Sequence, residues 1–147
     1  MDDRLAEDES ALWQAWKQAA ETVRARVAAD VTAATGLSDP DFGVLTRVVE
    51  LGCGRLRQNR LAELMGYHRS RLSHHLTRME ERGLVARETV PGGVEVVATE
   101  SGRSAVAEAR PVHARAVRRH LVEPLGDGEA ARGLLAALQR LAAGPDA

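Results

Sequence analysis

Hydrophobic residues recur at helical spacing along most of the chain. Between Leu12 and Val31 the large apolar residues lie three to four or seven positions apart, which predicts one long amphipathic helix that stops at Gly36. A second helix is predicted from Ser38, because a serine that can cap a helix is followed by Pro40 in the first turn and then by an apolar stripe. The chain is therefore expected to begin with a long helix and a shorter one.

Two short helices and a β-hairpin are predicted next. The third helix closes at Gly66, and the fourth, whose apolar residues recur at i, i+4 and i+7, ends at Gly83. Beyond Gly83 the apolar residues alternate on either side of Pro91-Gly92-Gly93, which predicts two strands joined by a turn. Two helices, a turn, a helix and a hairpin over residues 37–99 follow the order of a winged helix-turn-helix.

The rest of the chain is predicted to be helical. A long fifth helix follows Thr99, and Pro111 inside it predicts either a kink or two abutting helices. A last helix with a leucine stripe is predicted to stop before Gly144-Pro145. The expected fold is mainly α with a small β-hairpin wing. It consists of a winged helix-turn-helix at 37–99 and a helical region formed by 1–36 and 100–147.

Positive charge is concentrated around the third and fourth helices. The formal net charge is −1, yet residues 55–87 hold eight arginines against three glutamates. The face of the fourth helix opposite its apolar stripe has no carboxylate before Glu80 and carries Arg69, Ser70, Arg71, Ser73, His74 and Arg78. A phosphate backbone attracts such a face, although a solvated basic surface is the alternative. Protonation of His68, His74 and His75 would add to the charge.

Several segments of this region resemble the MarR family of transcriptional regulators. They are Gln58–Gly66, Arg69–His74 and Met79–Val85, flanked by Leu37–Phe42 and Ala98–Arg103. Many regulators share the helix-turn-helix portion alone, whereas the full arrangement, which extends the resemblance over about the whole chain, is more restrictive.

The resemblance implies a two-fold homodimer held by the first helix and the last two, so that residues 1–36 and 100–147 form the dimerisation region. It also implies a recognition helix from about His68 to Arg82, which lies in the major groove of operator DNA, and a wing that reaches a minor groove or its phosphates. Carried over position by position, the contacts with bases or nearby phosphates fall to Ser70, Arg71, Ser73 and His74, with Arg69 on the same face, and Arg78 meets the backbone. The implied function is that of a ligand-responsive dimeric repressor that binds a pseudo-palindromic operator.

The sequence departs from the family at two places. The turn of the hairpin is Pro91-Gly92-Gly93, where the family commonly has an aspartate and an arginine that enters the minor groove. Arg87 at the base of the wing is the nearest cation along the hairpin and is the residue of the wing that is expected to contact DNA. Arg57 stands where a helix cap such as threonine is common. The third helix is therefore expected to lack a side-chain cap, and Arg57 is expected to contact phosphate instead.

Three residues are candidates for sensing a signal. Trp13 and Trp16 are predicted to line an effector pocket, although tryptophans at helical spacing also pack in cores and interfaces. Cys53 lies between two glycines near Arg55 and Arg57, which favour its thiolate, so it is a candidate redox residue, the alternative being an incidental cysteine. His113 and His120 are seven positions apart, which is not the one-turn spacing of a histidine pair that binds a metal, and no metal is predicted.

Other classes of function are disfavoured. The sequence has no glycine-rich phosphate loop, metal motif or serine elbow, so neither an enzyme nor a cofactor is expected. It has no apolar run of about 18 residues and begins with acidic residues, which predicts a cytoplasmic protein with no membrane partner. A winged-helix protein-interaction module without specific DNA binding is the alternative, but it would be expected to expose acidic or apolar residues on the fourth helix.

Overall fold

A computed structural model describes residues 3–144, which form six α-helices and three β-strands. The helices are α1 (Glu7–Thr35), α2 (Asp39–Thr46), α3 (Gln58–Met65), α4 (Arg69–Glu81), α5 (Glu100–Val117) and α6 (Gly128–Ala143), and the strands are β1 (Arg55–Arg57), β2 (Val85–Val90) and β3 (Gly93–Ala98). This arrangement confirms the predicted fold class. The predicted stop of α6 before Gly144 agrees with its last residue, Ala143, whereas Pro145 lies outside the described residues.

Local sequence signals set the ends of the helices that matter for the site. At the start of α2, the Ser38 hydroxyl accepts a hydrogen bond from the Asp41 backbone N–H, and the Asp41 carboxylate accepts one from the Ser38 N–H. This reciprocal capping box satisfies two donors that the first turn of a helix leaves unpaired. At the end of α3, Gly66 adopts a left-handed conformation with φ of 64°, which a glycine accepts without steric cost and which turns the chain toward α4.

The sheet contains one strand that the sequence analysis does not predict. Its order is β1-β3-β2 with antiparallel pairing throughout, and β1 places Arg55 opposite Val97 and Arg57 opposite Glu95. The predicted hairpin is formed by β2 and β3, joined at the predicted turn. β1 has only three residues, which is too short for an alternating pattern to be recognised.

Helix α5 continues through Pro111. Helical structure extends from Glu100 to Val117 without a break, so the expected alternative of two helices that abut at the proline is wrong. Wider π-helical turns occur instead at Arg118–Val122 and, after α2, at Arg47–Leu51. The missing N–H of Pro111 removes one hydrogen bond, and the neighbouring turns are sufficient to maintain the helix.

The chain divides into two compact units whose boundaries lie within α1 and α5. One unit is Ala28–His113, and the other contains the described residues up to Val27 and those from Ala114 onward. The first unit holds a core of fully buried side chains that includes Val44, Leu45, Val48, Leu61, Leu72, Leu76, Met79, Val96 and Val106. This core orients α3, α4 and the sheet, and therefore the surface that they present.

Candidate nucleic-acid interface

Helix α4 presents the polar face that the sequence predicts. Its apolar residues Leu72, Leu76 and Met79 are fully buried, because they recur on one side of the helix. The side chains exposed from the same helix include Arg69, Ser70, Arg71, His74 and Arg78, while Ser73 is half-buried. Residues 66–79, which run from the turn before α4 to the residue before Glu80, contain no aspartate or glutamate. This face therefore offers hydrogen-bond donors and positive charge to an anionic partner.

His68 caps the N-terminus of α4. Its Nδ1 accepts a hydrogen bond from the Ser70 backbone N–H at 3.3 Å and lies 2.8 Å from the Ser70 hydroxyl. Nδ1 can accept from the backbone only when the ring proton is on Nε2, so the cap selects one tautomer. His68 thus holds the Ser70 side chain in position at the start of the helix.

Arg71 is held by an aromatic ring. The carbon at the centre of its guanidinium lies 3.9 Å from the centroid of the Tyr67 ring. Stacking of this kind is attractive and orients the plane of the guanidinium, while its N–H donors point outward from the edge. Arg71 is consequently oriented before any ligand arrives. The role of Tyr67 is not predicted from the sequence; the signal for it is its position four residues before Arg71.

A chain of contacts runs beneath this face from Arg78 to Arg82. A terminal nitrogen of Arg78 lies 3.2 Å from His75 Nδ1, and His75 Nε2 lies 3.1 Å from the Asp41 carboxylate without the alignment of a hydrogen bond. The other oxygen of Asp41 accepts from Arg82 at 2.7 Å. These contacts connect α4 to the buried Asp41 carboxylate in the first turn of α2.

His75 does not belong to the exposed polar face, and grouping it with the histidines that add charge is wrong. It is buried, and burial lowers its pKa. Asp41 opposes this effect and Arg78 adds to it, and the net result is a pKa below the ordinary value. Burial therefore favours the neutral form of His75.

The Asp41 carboxylate is held in its charged form. Burial raises the pKa of Asp41, but hydrogen bonds from Arg82 and from the Ser38 backbone outweigh burial, so that the net pKa lies below its usual value. Sequence reasoning assigns the cap of α2 to Ser38 but does not identify Asp41. The signal was the acidic residue three positions after a serine, which is the spacing of a capping box.

Arg87 joins the base of the wing to α4. Its Nε donates to the Glu80 carboxylate at 2.6 Å, and its terminal nitrogens donate to the Thr77 hydroxyl at 2.8 Å and to Ser73 at 3.3 to 3.4 Å. Contact between Arg87 and DNA remains a prediction. In this structure, all three guanidinium nitrogens are engaged by α4, which gives Arg87 a role in holding the wing against that helix.

Arg57 and Arg55 have different surroundings although both belong to β1. As predicted, Arg57 precedes α3 without a side-chain capping bond, and one of its terminal nitrogens donates to the Pro91 carbonyl in the hairpin turn at 3.1 Å. Arg55 forms ion pairs with Glu88 and Glu95 across the sheet. The hydrogen bond that Arg55 donates to the Glu88 carboxylate is the main reason why the pKa of Arg55 is raised.

The candidate sensor residues belong to different units of the chain. Trp13 and Trp16 line an apolar groove of about 530 Å³ together with leucines of α6, which include Leu134, Leu138 and Leu141. Cys53 is exposed in the loop after α2 and has a φ of 52°, a conformation that few residues other than glycine adopt. No observation in the described residues links either feature to a signal, and both assignments remain predictions.

A second cavity, of about 360 Å³, lies between α2 and α5 within the first unit. It combines aromatic rings and charge: Phe42 and His113 have centroids 4.8 Å apart, and Arg110 forms a 2.9 Å ion pair with Glu50. The sequence analysis does not identify this cavity, because residues of two distant helices form it and no local pattern joins them.

Two further findings concern residues 3–144. No group of three histidine, cysteine or acidic side chains in this part of the chain is arranged to hold a metal ion. None of its helices combines the length and the apolar composition required to cross a bilayer.

Comparisons with known proteins identify one family and several structurally similar regulators. Residues 35–93 match the sequence model of the MarR family. The MarR family transcriptional regulator AbsC from Streptomyces coelicolor is 30% identical, with a TM-score of 0.86 over 96% of each chain. Sco3205, a MarR family regulator from Streptomyces coelicolor solved in complex with DNA, is 25% identical, with a TM-score of 0.86 over 99% of this chain and 95% of that one. The transcriptional repressor CouR, bound to p-coumaroyl-CoA, is 26% identical, with a TM-score of 0.77 over 96% of this chain and 98% of that one. None of the curated proteins matches the chain in sequence.

Proposed function

Because this chain belongs to the MarR family of transcriptional regulators, we propose that it is a sequence-specific DNA-binding repressor that acts as a homodimer on a pseudo-palindromic operator in the cytoplasm. The observation that carries the proposal is the exposed face of α4, where Arg69, Ser70, Arg71, His74 and Arg78 lie together with no carboxylate among them. The buried core holds α4 in place, and the hydrogen bond from Arg87 to Glu80 holds the wing beside this helix. A rigid polar helix next to a wing is suited to the major groove.

The residues of this face divide into two roles. Arg71, oriented by Tyr67, presents a fork of donors that matches the acceptors of guanine in the major groove. Ser70, Ser73 and His74 meet bases or nearby phosphates, and Arg69 and Arg78 meet the backbone. These contacts would fix the register of the helix and supply the salt-dependent part of the affinity.

We propose that a second copy of the chain covers the unit that contains α1 up to Val27 and the whole of α6. This unit leaves large apolar side chains exposed: 72% of Leu12, 71% of Leu141 and 52% of Trp13. A contiguous apolar surface of this kind marks a site of association, and the commonest soluble assembly is a two-fold dimer in which the same surface meets itself. Such a dimer would place two α4 helices about one helical turn apart on DNA.

A small-molecule effector is proposed to control DNA binding, as the complex of the related CouR with p-coumaroyl-CoA supports. The cavity between α2 and α5 fits an aromatic anion better than the tryptophan groove does, because it combines the Phe42 ring with the Arg110 guanidinium. The groove at Trp13 and Trp16 is apolar and would be covered by the second copy. An effector carboxylate could replace Glu50 as the partner of Arg110.

The alternative, a winged-helix module that contacts only proteins, is less well supported. A surface built for protein contacts depletes charge at its centre and enriches apolar and aromatic residues. On α4 the exposed centre is cationic, and the aromatic Tyr67 lies beneath Arg71.

The test begins with selection of a binding site from randomised duplexes by the purified protein. Affinity for the selected duplex and for a random duplex of equal length is then measured at two salt concentrations. We expect the selected site to be pseudo-palindromic and bound at least about a thousandfold more tightly, with affinity for both duplexes falling as salt rises. Failure to enrich any sequence, together with equal binding to both duplexes, would contradict the proposed function.

A further inference from the structure

No residue in the hairpin turn is positively charged, but the side chain of Arg57 contacts the turn. Pro91 and Gly92 form the two-residue turn between β2 and β3, and Gly93 begins β3 opposite Val90. Arg57 reaches this turn from β1 and donates a 3.1 Å hydrogen bond to the Pro91 carbonyl. A Cβ atom added at Gly92 or Gly93 would lie 3.5 or 3.6 Å from a terminal nitrogen of Arg57. The guanidinium thus lies against two residues that have no side chain to cover it.

The charge of Arg57 is not neutralised by its neighbours. Arg55 and Arg57 are two positions apart on β1, so they lie on the same face of the strand. The carboxylates on that side, Glu88 and Glu95, both pair with Arg55. Although Glu95 is opposite Arg57 in the register, Arg57 has no acidic partner within residues 3–144. Its remaining donors are exposed and available to an anionic or acceptor-rich ligand.

The hairpin is long enough to carry this arginine beyond the groove that holds α4. Arg87 fixes the base of β2 against α4. The six residues of β2 extend about 20 Å at about 3.3 Å per residue, whereas the major groove is about 12 Å wide. If α4 lies in the major groove as proposed, a hairpin of this length is long enough for its tip to reach the adjacent minor groove.

We propose that Arg57, delivered from β1 through the sheet, is the cation that this chain inserts into the minor groove, where it selects narrow A·T-rich sequence on the outer flanks of the operator. This proposal rests on the proposed function. The turn is slim enough to approach a minor groove of about 6 Å width because Gly92 and Gly93 add no bulk. The narrow minor groove of A·T-rich DNA has an enhanced negative potential that attracts a guanidinium. In G·C pairs, the guanine amino group projects into the same groove and disfavours it.

The test compares operators that differ only in the flanks. The flanks are A·T-rich, G·C-rich, or inosine·C, which keeps most of the major-groove pattern of G·C but lacks the amino group in the minor groove. Full-length wild-type protein is expected to bind the A·T and inosine·C flanks about tenfold more tightly than the G·C flank. Arg57→Ala is expected to reduce this preference to within about twofold, and Arg57→Lys to retain overall affinity but lose most of the preference.

Arg60→Ala is the matched control, because Arg60 is also exposed near the start of α3 but pairs with Glu63. It is expected to keep the wild-type preference for flanks. If Arg57→Ala weakens binding equally on all three flanks, Arg57 contacts phosphate only and the proposal is overturned. If wild-type protein shows no preference among flanks yet discriminates its operator from random DNA, the proposal also fails while the proposed function stands. If it does not discriminate an operator at all, the proposed function itself fails.

Discussion

Arg82, the residue that follows the last turn of α4, donates a 2.7 Å hydrogen bond to the buried carboxylate of Asp41 in the first turn of α2. The two residues are far apart in sequence, and only 2% of the Asp41 side chain is exposed against 46% of that of Arg82. The same carboxylate caps α2 by accepting from the Ser38 N–H. One buried charge therefore sets both the start of α2 and the position of the C-terminal end of α4.

Removal of Arg82 is expected to destabilise the fold. Arg82→Ala leaves Asp41 buried without its charged partner, and the expected loss in free energy of unfolding is about 1 to 3 kcal/mol. Urea unfolding monitored by circular dichroism measures this loss. Arg60→Ala is the control, because its ion pair with Glu63 is exposed and is worth at most about 1 kcal/mol. Equal effects of the two substitutions would show that the Asp41 contact contributes nothing beyond an ordinary surface pair.

The stability of the fold is expected to fall as the pH is lowered from neutral. Burial depresses the pKa of His75, so its neutral form contributes stability that is fully present above the ordinary histidine value of 6.5 and is lost as the pH falls through the folded-state pKa. The pKa of Asp41 is also lowered, so its contribution is present above the ordinary value of 3.8 and is lost in more acidic solution.

His75→Gln is therefore expected to flatten the dependence of unfolding free energy on pH between 7 and 5, since glutamine takes up no proton. Urea unfolding at several pH values measures the slope. His74→Gln, a change on the exposed side of the same helix, serves as the control. A steep slope that persists unchanged in His75→Gln would show that another group is responsible.

Local patterns predict the helices of this chain well, and they fail where long-range contacts decide a residue's surroundings. Leu72, Leu76 and Met79 place the buried side of α4 correctly. His75 follows Leu72 by three positions and precedes Met79 by four, so the same period places it in the core, and its grouping with the surface histidines ignores this geometry.

The contacts of the arginines could not be predicted in the same way. The position of Arg57 depends on the pairing of β1 with β3, roughly forty residues later in the chain, and three residues provide no alternation to reveal that strand. The sequence marks Arg87 as a cation of the wing, but it does not show whether the guanidinium is bound within the protein. That depends on which carboxylates and hydroxyls the fold brings beside it. Glu80 and Thr77 do so here.

Arg87 is expected to support DNA binding by bracing the wing rather than by its own charge. Arg87→Ala removes the contact between the wing and α4, whereas Glu80→Gln removes only the charge that pairs with Arg87. Each is expected to lower operator affinity and to lower the free energy of unfolding by up to about 1 kcal/mol. The double variant is expected to lose less than the sum, since the pair is coupled. If Glu80→Gln instead preserves or improves affinity while Arg87→Ala reduces it, Arg87 acts by direct contact with DNA.

Introduction of a charge in the apolar surface of α1 is expected to separate the proposed dimer. Leu12→Glu would bury a carboxylate against the second copy, which is strongly unfavourable. Sedimentation velocity is expected to show a monomer for this variant and a dimer for the wild type. Leu51→Glu is the matched control, because Leu51 is also largely exposed but lies in the other unit. A dimer that survives Leu12→Glu would place the interface elsewhere.

Arg71 and Arg78 are expected to affect specificity and affinity differently. Arg71→Ala should weaken binding to the operator by about 1 to 3 kcal/mol with little effect on random DNA, whereas Arg78→Ala should weaken binding to all sequences and reduce the salt dependence. Substitutions of Tyr67 test how much the orientation of the Arg71 side chain contributes to operator affinity, because the centre of the Arg71 guanidinium lies 3.9 Å from the centroid of the Tyr67 ring. Tyr67→Phe keeps the ring and should keep operator affinity, whereas Tyr67→Leu keeps apolar volume without the stacking and should reduce it by about threefold to tenfold. Titrations of all four variants on both duplexes measure these effects. Equal losses on operator and random DNA for Arg71→Ala would show that Arg71 contacts only the backbone, and the specificity of α4 would then have to come from Ser70, Ser73 and His74.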